Sequence, residues 1–169
     1  MSKMRLGTLD DIKASATAAG DYITKIYGHW SAGRYEPNAT DLSDYHILIL
    51  NDGSYLIRDD FTEKLAHTWH RNTGAVGIAF AGCYGAITSD LGDYPPTEEQ
   101  IAGMAMAVKI ICEAIVKPVD IFMTHAEIAT IDGYGPGSGD PETRWDLLFL
   151  RNGENTGTGG DTIRKLASM

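Results

Sequence analysis

Apolar positions along the chain change spacing several times, and each change predicts an element. Thr8 followed by Asp10, Asp11 and an alanine-rich run to Ala19 predicts a capped helix that Gly20 closes. Tyr22 to Trp30 carries β-favouring side chains at Tyr22, Ile23, Ile26 and Tyr27, which predicts a strand ending near His29. Ser31 to Ser43 reads as loop. Tyr45–Leu50, the turn Asn51-Asp-Gly-Ser54 and Tyr55–Arg58 form the clearest hairpin, because Asp-Gly sits between two apolar runs. Ala75–Ala81 is continuously apolar between Gly74 and Gly82, as expected of a strand buried on both faces.

Further on, Thr97 and Gln100 form a capping box. Behind it Ile101, Met104, Ala105, Val108, Ile111, Cys112 and Ile115 recur at helical spacing until Pro118. Val119–Thr124 predicts a short strand that delivers His125, and residues 133–140 a glycine-rich loop. Asp161 to Ser168 adds one short helix after a second glycine-rich stretch. Strands alternate with helices and no internal repeat is visible. The expected architecture is therefore α/β, a single-domain mixed sheet flanked by helices over residues 1–169.

Composition narrows the functional classes. The 169 residues are 43% hydrophobic and 22% charged, the balance of an ordinary globular domain rather than a disordered chain. With 14 Lys+Arg against 23 Asp+Glu the net charge is −9, which disfavours sequence-independent binding of nucleic acid or anionic lipid. Two cysteines, Cys83 and Cys112, are too few for a disulfide scaffold and lack a metal-type pairing. The first residues hold no apolar stretch suited to a signal peptide, and the most apolar segment, Ala102–Val116, is too short to span a bilayer. Synthesis in the cytoplasm without an N-terminal signal and without membrane insertion is the expectation. Oligomeric state is left open.

Five histidines are the candidate chemistry, and His29, His46 and His125 begin or end expected strands, where α/β sheets collect ligands. His29 and His125 are 96 residues apart, so this is no local zinc motif. The residue types permit a zinc site without requiring one.

The order of several short blocks adds a resemblance. Ile26-Tyr-Gly-His-Trp-Ser-Ala-Gly33, Tyr45-His46 with its Asp-Gly hairpin, Ala66-His67 with Asn72 and Val76–Gly82, Pro96-Thr-Glu-Glu-Gln100, Thr124-His-Ala-Glu-Ile128 and Asp140-Pro141 follow one another in this chain. Together they resemble the N-acetylmuramoyl-L-alanine amidase type 2 family, which includes phage endolysins and peptidoglycan recognition proteins. The resemblance covers about residues 26–150. It implies an amidase-like fold with one catalytic Zn²⁺ on His29, His125 and Asp140, Asp132 being the rival third ligand. Such a set leaves a fourth position open, as catalytic zinc requires.

The resemblance also implies Tyr45 as a catalytic phenol, with Ser138 standing where many members carry a catalytic lysine. His67 and Asn72 are implied on the substrate side, and His46 is expected to point away from the metal. The implied activity is cleavage of the amide between N-acetylmuramic acid and L-alanine by a zinc-activated water. The implied partner is bacterial peptidoglycan, reached after phage lysis or delivery by a secretion system. A recognition module that binds peptidoglycan without cutting is the alternative.

Overall fold

The apolar run over Ala75–Ala81 does become an interior strand. In a computed structural model, which describes residues 3–139 and 145–169, the elements run β1 (Arg5–Gly7), α1 (Leu9–Ala19), β2 (Lys25–Trp30), α2 (Ala39–Asp44), β3 (Ile47–Ile49), β4 (Tyr55–Ile57), β5 (Ala75–Phe80), α3 (Glu98–Ile115), β6 (Phe122–Thr124), α4 (His125–Asp132) and α5 (Gly159–Ala167). Six strands form one sheet in the order β1-β4-β3-β5-β2-β6. β2 pairs in parallel with both β5 and β6, and β5 in parallel with β3; β3, β4 and β1 pair antiparallel. This is the mixed α/β sheet that the sequence predicts.

Alternation along the strands divides the two faces. Ile26, Ile47, Ile49, Val76, Ile78, Phe80 and Phe122 join one core cluster with Ile12 of α1, Ile101, Met104, Val108 and Ile111 of α3, and Ile163 of α5. Tyr27, Ala75 and Ile128 cluster separately, as do Leu48, Ala79 and Ala81. Gln100 ties α3 to the sheet: its amide donates to the carbonyls of Ile49 and Ala81, both at 2.9 Å. The capping box at Thr97 and Gln100 forms as expected.

Several short elements depart from the sequence reading. Tyr22 belongs to a 3-10 turn over Gly20–Tyr22, and β2 starts only at Lys25. Val119–Ile121 is likewise a 3-10 turn, which leaves three residues of strand before His125. α2 lies in the expected loop, held by a capping box between Asn38 and Asp41. α4 begins at His125 itself, capped by Thr124 with Glu127. β1 is an edge strand whose Leu6 is exposed, so no apolar alternation marks it. Among the described residues no helix is long and apolar enough to cross a membrane.

His46 clamps the centre of this sheet. Its Nε2–H donates to the Glu63 carbonyl at 2.7 Å, and its Nδ1 accepts the Gly77 N–H at 3.0 Å. Acceptance at Nδ1 requires the neutral ring, and burial pushes the His46 pKa down to about 4 although the bond to the Glu63 carbonyl pulls the other way. The folded value lies below the unfolded one of roughly 6.5, so this contribution to stability is complete above about pH 6.5 and is lost as pH falls toward 4. The full shift corresponds to roughly 3 kcal/mol. NMR titration should find the His46 ring neutral at pH 5.5; a midpoint near 6.5 would contradict the clamp.

Candidate metal centre

Parallel register brings the two distant histidines together. Gly28 of β2 pairs with Thr124, the last residue of β6, and the residues that follow them in the chain are His29 and His125. Adjacent strands run about 4.8 Å apart, and the two imidazole centroids are 4.7 Å apart. Packing of the Phe122 and Leu147 side chains over β2 needs Gly28, because a Cβ there would lie 2.6 Å from the Phe122 ring and 2.9 Å from Leu147. Both imidazoles stand at the carboxyl ends of parallel strands, where open α/β sheets bind ligands.

The carboxylate that joins them is Asp146. His29 Nδ1 lies 2.9 Å and His125 Nδ1 3.2 Å from Asp146 Oδ2, and the two nitrogens are 3.1 Å apart. All three residues are buried. Asp146 is held from both sides in the chain: Trp145 packs edge-on against Trp30 at 4.8 Å, and Leu147 is fully buried. Its backbone carbonyl also accepts the Ala126 N–H of α4 at 3.2 Å.

Electrostatics favour the ligand forms. Burial lowers the His29 pKa, although Asp146 pulls the other way, so the ring is kept neutral with a lone pair available. Burial alone would raise the Asp146 pKa, but His125 and His29 more than offset it and hold the carboxyl well below the usual range. Two ring nitrogens and a carboxylate oxygen converging with 2.9–3.2 Å separations fit zinc. Ligand atoms about 2.0–2.1 Å from a tetrahedral ion sit about 3.3 Å from one another. Three protein ligands leave the fourth position for a reactant.

The other expected residues divide clearly. Tyr45 lines the same cleft of about 360 Å³, together with His67, Cys83 and Trp145. Its ring centroid is 5.4 Å from that of His29, and its hydroxyl donates to the Trp30 carbonyl at 3.4 Å. Burial, followed by the charge of Asp146, pushes the Tyr45 pKa far up, so the phenol keeps its proton. His67 lies against Gly77, where a Cβ would meet the imidazole at 2.7 Å. His46 is spent on backbone groups, as above, and is no ligand.

Asn72 does not line the cleft. Its Oδ1 accepts the backbone N–H groups of His67 and Thr68 at 3.2 and 2.7 Å, closing the turn that carries them. Ser138 is exposed and also absent from the cleft lining. Asp132 is bound in a two-pronged ion pair by Arg71, at 2.6 and 2.8 Å, and is not part of the cluster formed by His29, His125 and Asp146. Asp140, the third ligand implied by the resemblance, lies outside the described residues. Among the described residues it is Asp146 that meets both imidazoles, and Trp145 and Leu147 beside it carry the apolar signal of an anchored segment.

No protein-family model matches the chain, and no curated protein matches it in sequence. Among solved structures it is similar to the ectodomain complex of peptidoglycan recognition proteins LCa and LCx with bound tracheal cytotoxin. That match has a TM-score of 0.50 at 15% identity, over 80% of this chain and 84% of that one. The amidase endolysin LysCS from Clostridium intestinale matches at TM-score 0.49 and 14% identity, over 76% of this chain and 78% of that one. The Ph2119 endolysin from a Thermus scotoductus bacteriophage matches at 0.49 and 17%, over 64% and 74%. The structural neighbours are thus amidase endolysins and peptidoglycan recognition proteins, and the match to the recognition-protein ectodomains shows a shared fold.

The ligand set makes a discriminating prediction. Asp146→Ala should lose stoichiometric zinc in metal analysis after dialysis, because two neutral imidazoles are left without their anionic partner. Asp140→Ala should keep it. The reverse result would remove Asp146 from the set.

Proposed function

We propose that the chain is a zinc-dependent peptidoglycan amidase that hydrolyses the bond between N-acetylmuramic acid and L-alanine. The observation that carries this reading is the convergence of His29 Nδ1, His125 Nδ1 and Asp146 Oδ2 at the floor of a cleft that also holds the Tyr45 phenol. The amidase endolysins and recognition proteins that share its fold support peptidoglycan as the partner. In this ligand set zinc supplies a Lewis acid that polarises an amide carbonyl and makes water a competent nucleophile near neutral pH.

The protein's own groups do the rest. Asp146 contributes one negative charge against a dication, so the centre stays net positive toward developing negative charge. Tyr45 presents a protonated phenol, whose weak bond to the Trp30 carbonyl leaves the O–H free to turn toward an oxyanion. Trp30 and Trp145 form an apolar wall beside the metal position and limit access of bulk water. Cys83 also faces the cleft, but burial raises its pKa, so it stays a neutral thiol rather than a competing thiolate ligand.

Purified sacculi test the reading. Zinc-loaded protein should release new alanine α-amino groups without new reducing sugar ends. Binding to sacculi with no amino-group release would support the recognition-module alternative, and reducing ends would mean a glycosidase. Tyr45→Phe should retain zinc and lose turnover by about 10²-fold, the usual effect of removing one oxyanion donor. Turnover within about twofold of the parent would take Tyr45 out of the reaction.

A further inference from the structure

His29 has a second ring nitrogen, and its surroundings are as specific as those of Nδ1. Nε2 lies 3.2 Å from His67 Nδ1 and 3.3 Å from Thr68 Oγ1, and that hydroxyl lies 2.9 Å from His67 Nδ1. Thr68 is only 1% exposed and His67 7%. The three polar atoms therefore form a closed triangle sealed from solvent, directly behind the candidate ligand.

Proton positions in that triangle are constrained. When Nδ1 of a neutral imidazole gives its lone pair to a metal, the ring proton sits on Nε2. That N–H must then find an acceptor, since a buried donor left unmade costs about 1–3 kcal/mol. Thr68 is the one group here that can accept from His29 Nε2 and at the same time donate to His67 Nδ1. The chain His29 Nε2–H to Thr68 Oγ1, and Thr68 O–H to His67 Nδ1, satisfies these three atoms and places the His67 proton on its own Nε2, a buried atom with no hydrogen-bond partner, so the cost of an unmade bond falls on His67 and not on the ligand.

We propose that Thr68, backed by His67, is a positioning residue: it holds the His29 proton on Nε2 and so aims the Nδ1 lone pair at the metal. The inference rests on the zinc reading above, and it moves His67 from the substrate side to a supporting place behind the metal. Two structural details agree. Asn72 spends its side chain fixing the backbone of both His67 and Thr68, and Gly77 leaves no Cβ where the His67 ring lies. The turn is built to hold this pair in place.

The test compares parent, Thr68→Val and Thr68→Ser by chelator competition for zinc and by ¹⁵N NMR of the imidazoles. Removing a group that orients a metal ligand typically costs 10–100-fold in metal affinity. Because His29 Nε2 can still meet His67 Nδ1 directly, the expected loss in Thr68→Val is about tenfold. Thr68→Ser should recover it, since it keeps the hydroxyl and loses only a methyl. In the zinc-loaded parent the ¹⁵N shifts should report a protonated Nε2 on both His29 and His67. Equal affinity in Thr68→Val, equal loss in both variants, or a His67 proton on Nδ1 would overturn the assignment. A parent that binds no zinc would overturn the amidase reading itself, which is a separate result.

Discussion

Everything at the site depends on the register between β2 and β6. Pairing of Gly28 with Thr124 makes neighbours of two imidazoles that are 96 residues apart in the chain. A slip of one residue would turn one of them to the opposite face. Register is fixed by the apolar side of the same strands, where Ile26, Phe122 and Leu147 pack into the main core and Gly28 leaves room for the Phe122 and Leu147 side chains. The metal position is thus set by hydrophobic packing on the far side of the sheet.

Burial then decides the chemistry. Four of the five histidines are less than a tenth exposed. A buried imidazole without a carboxylate partner is kept neutral, and neutral rings serve both as clamps, as His46 does, and as ligands. Among the described residues His29 and His125 are the histidines paired with a carboxylate, and that carboxylate remains ionised. The centre therefore brings a carboxylate oxygen and two ring nitrogens together at a single point. Tyr45 is treated the same way by its surroundings, which keep it a proton-bearing donor.

Much of the fold was legible because its signals are local. The Asp-Gly hairpin, the apolar β5 and the capped α3 each announce themselves within a dozen residues. The short capping boxes Asn38/Asp41 and Thr124/Glu127 are equally local, but α2 and α4 follow segments that read as loop and strand, and so were missed. At the site, His29 and His125 were visible from strand ends and block order, whereas Asp146 was not. Its place beside the imidazoles depends on where Trp145 and Leu147 anchor the chain, a long-range packing matter with no local motif. Asn72 and His67 were implied as a substrate-facing pair. Asn72 caps the turn that carries His67, while His67 itself lines the cleft, a distinction that only the hydrogen-bond geometry reveals.

The central claim is that zinc binds here through two imidazoles and a carboxylate. X-ray absorption at the zinc edge of the loaded protein tests it most directly. The account predicts a nitrogen and oxygen shell at about 2.0–2.1 Å, with the outer scattering of two imidazoles and no sulfur. A zinc–sulfur distance at about 2.3 Å would mean that Cys83, on the same cleft wall, has taken a ligand's place. That result, or fewer than two imidazoles, would contradict the account.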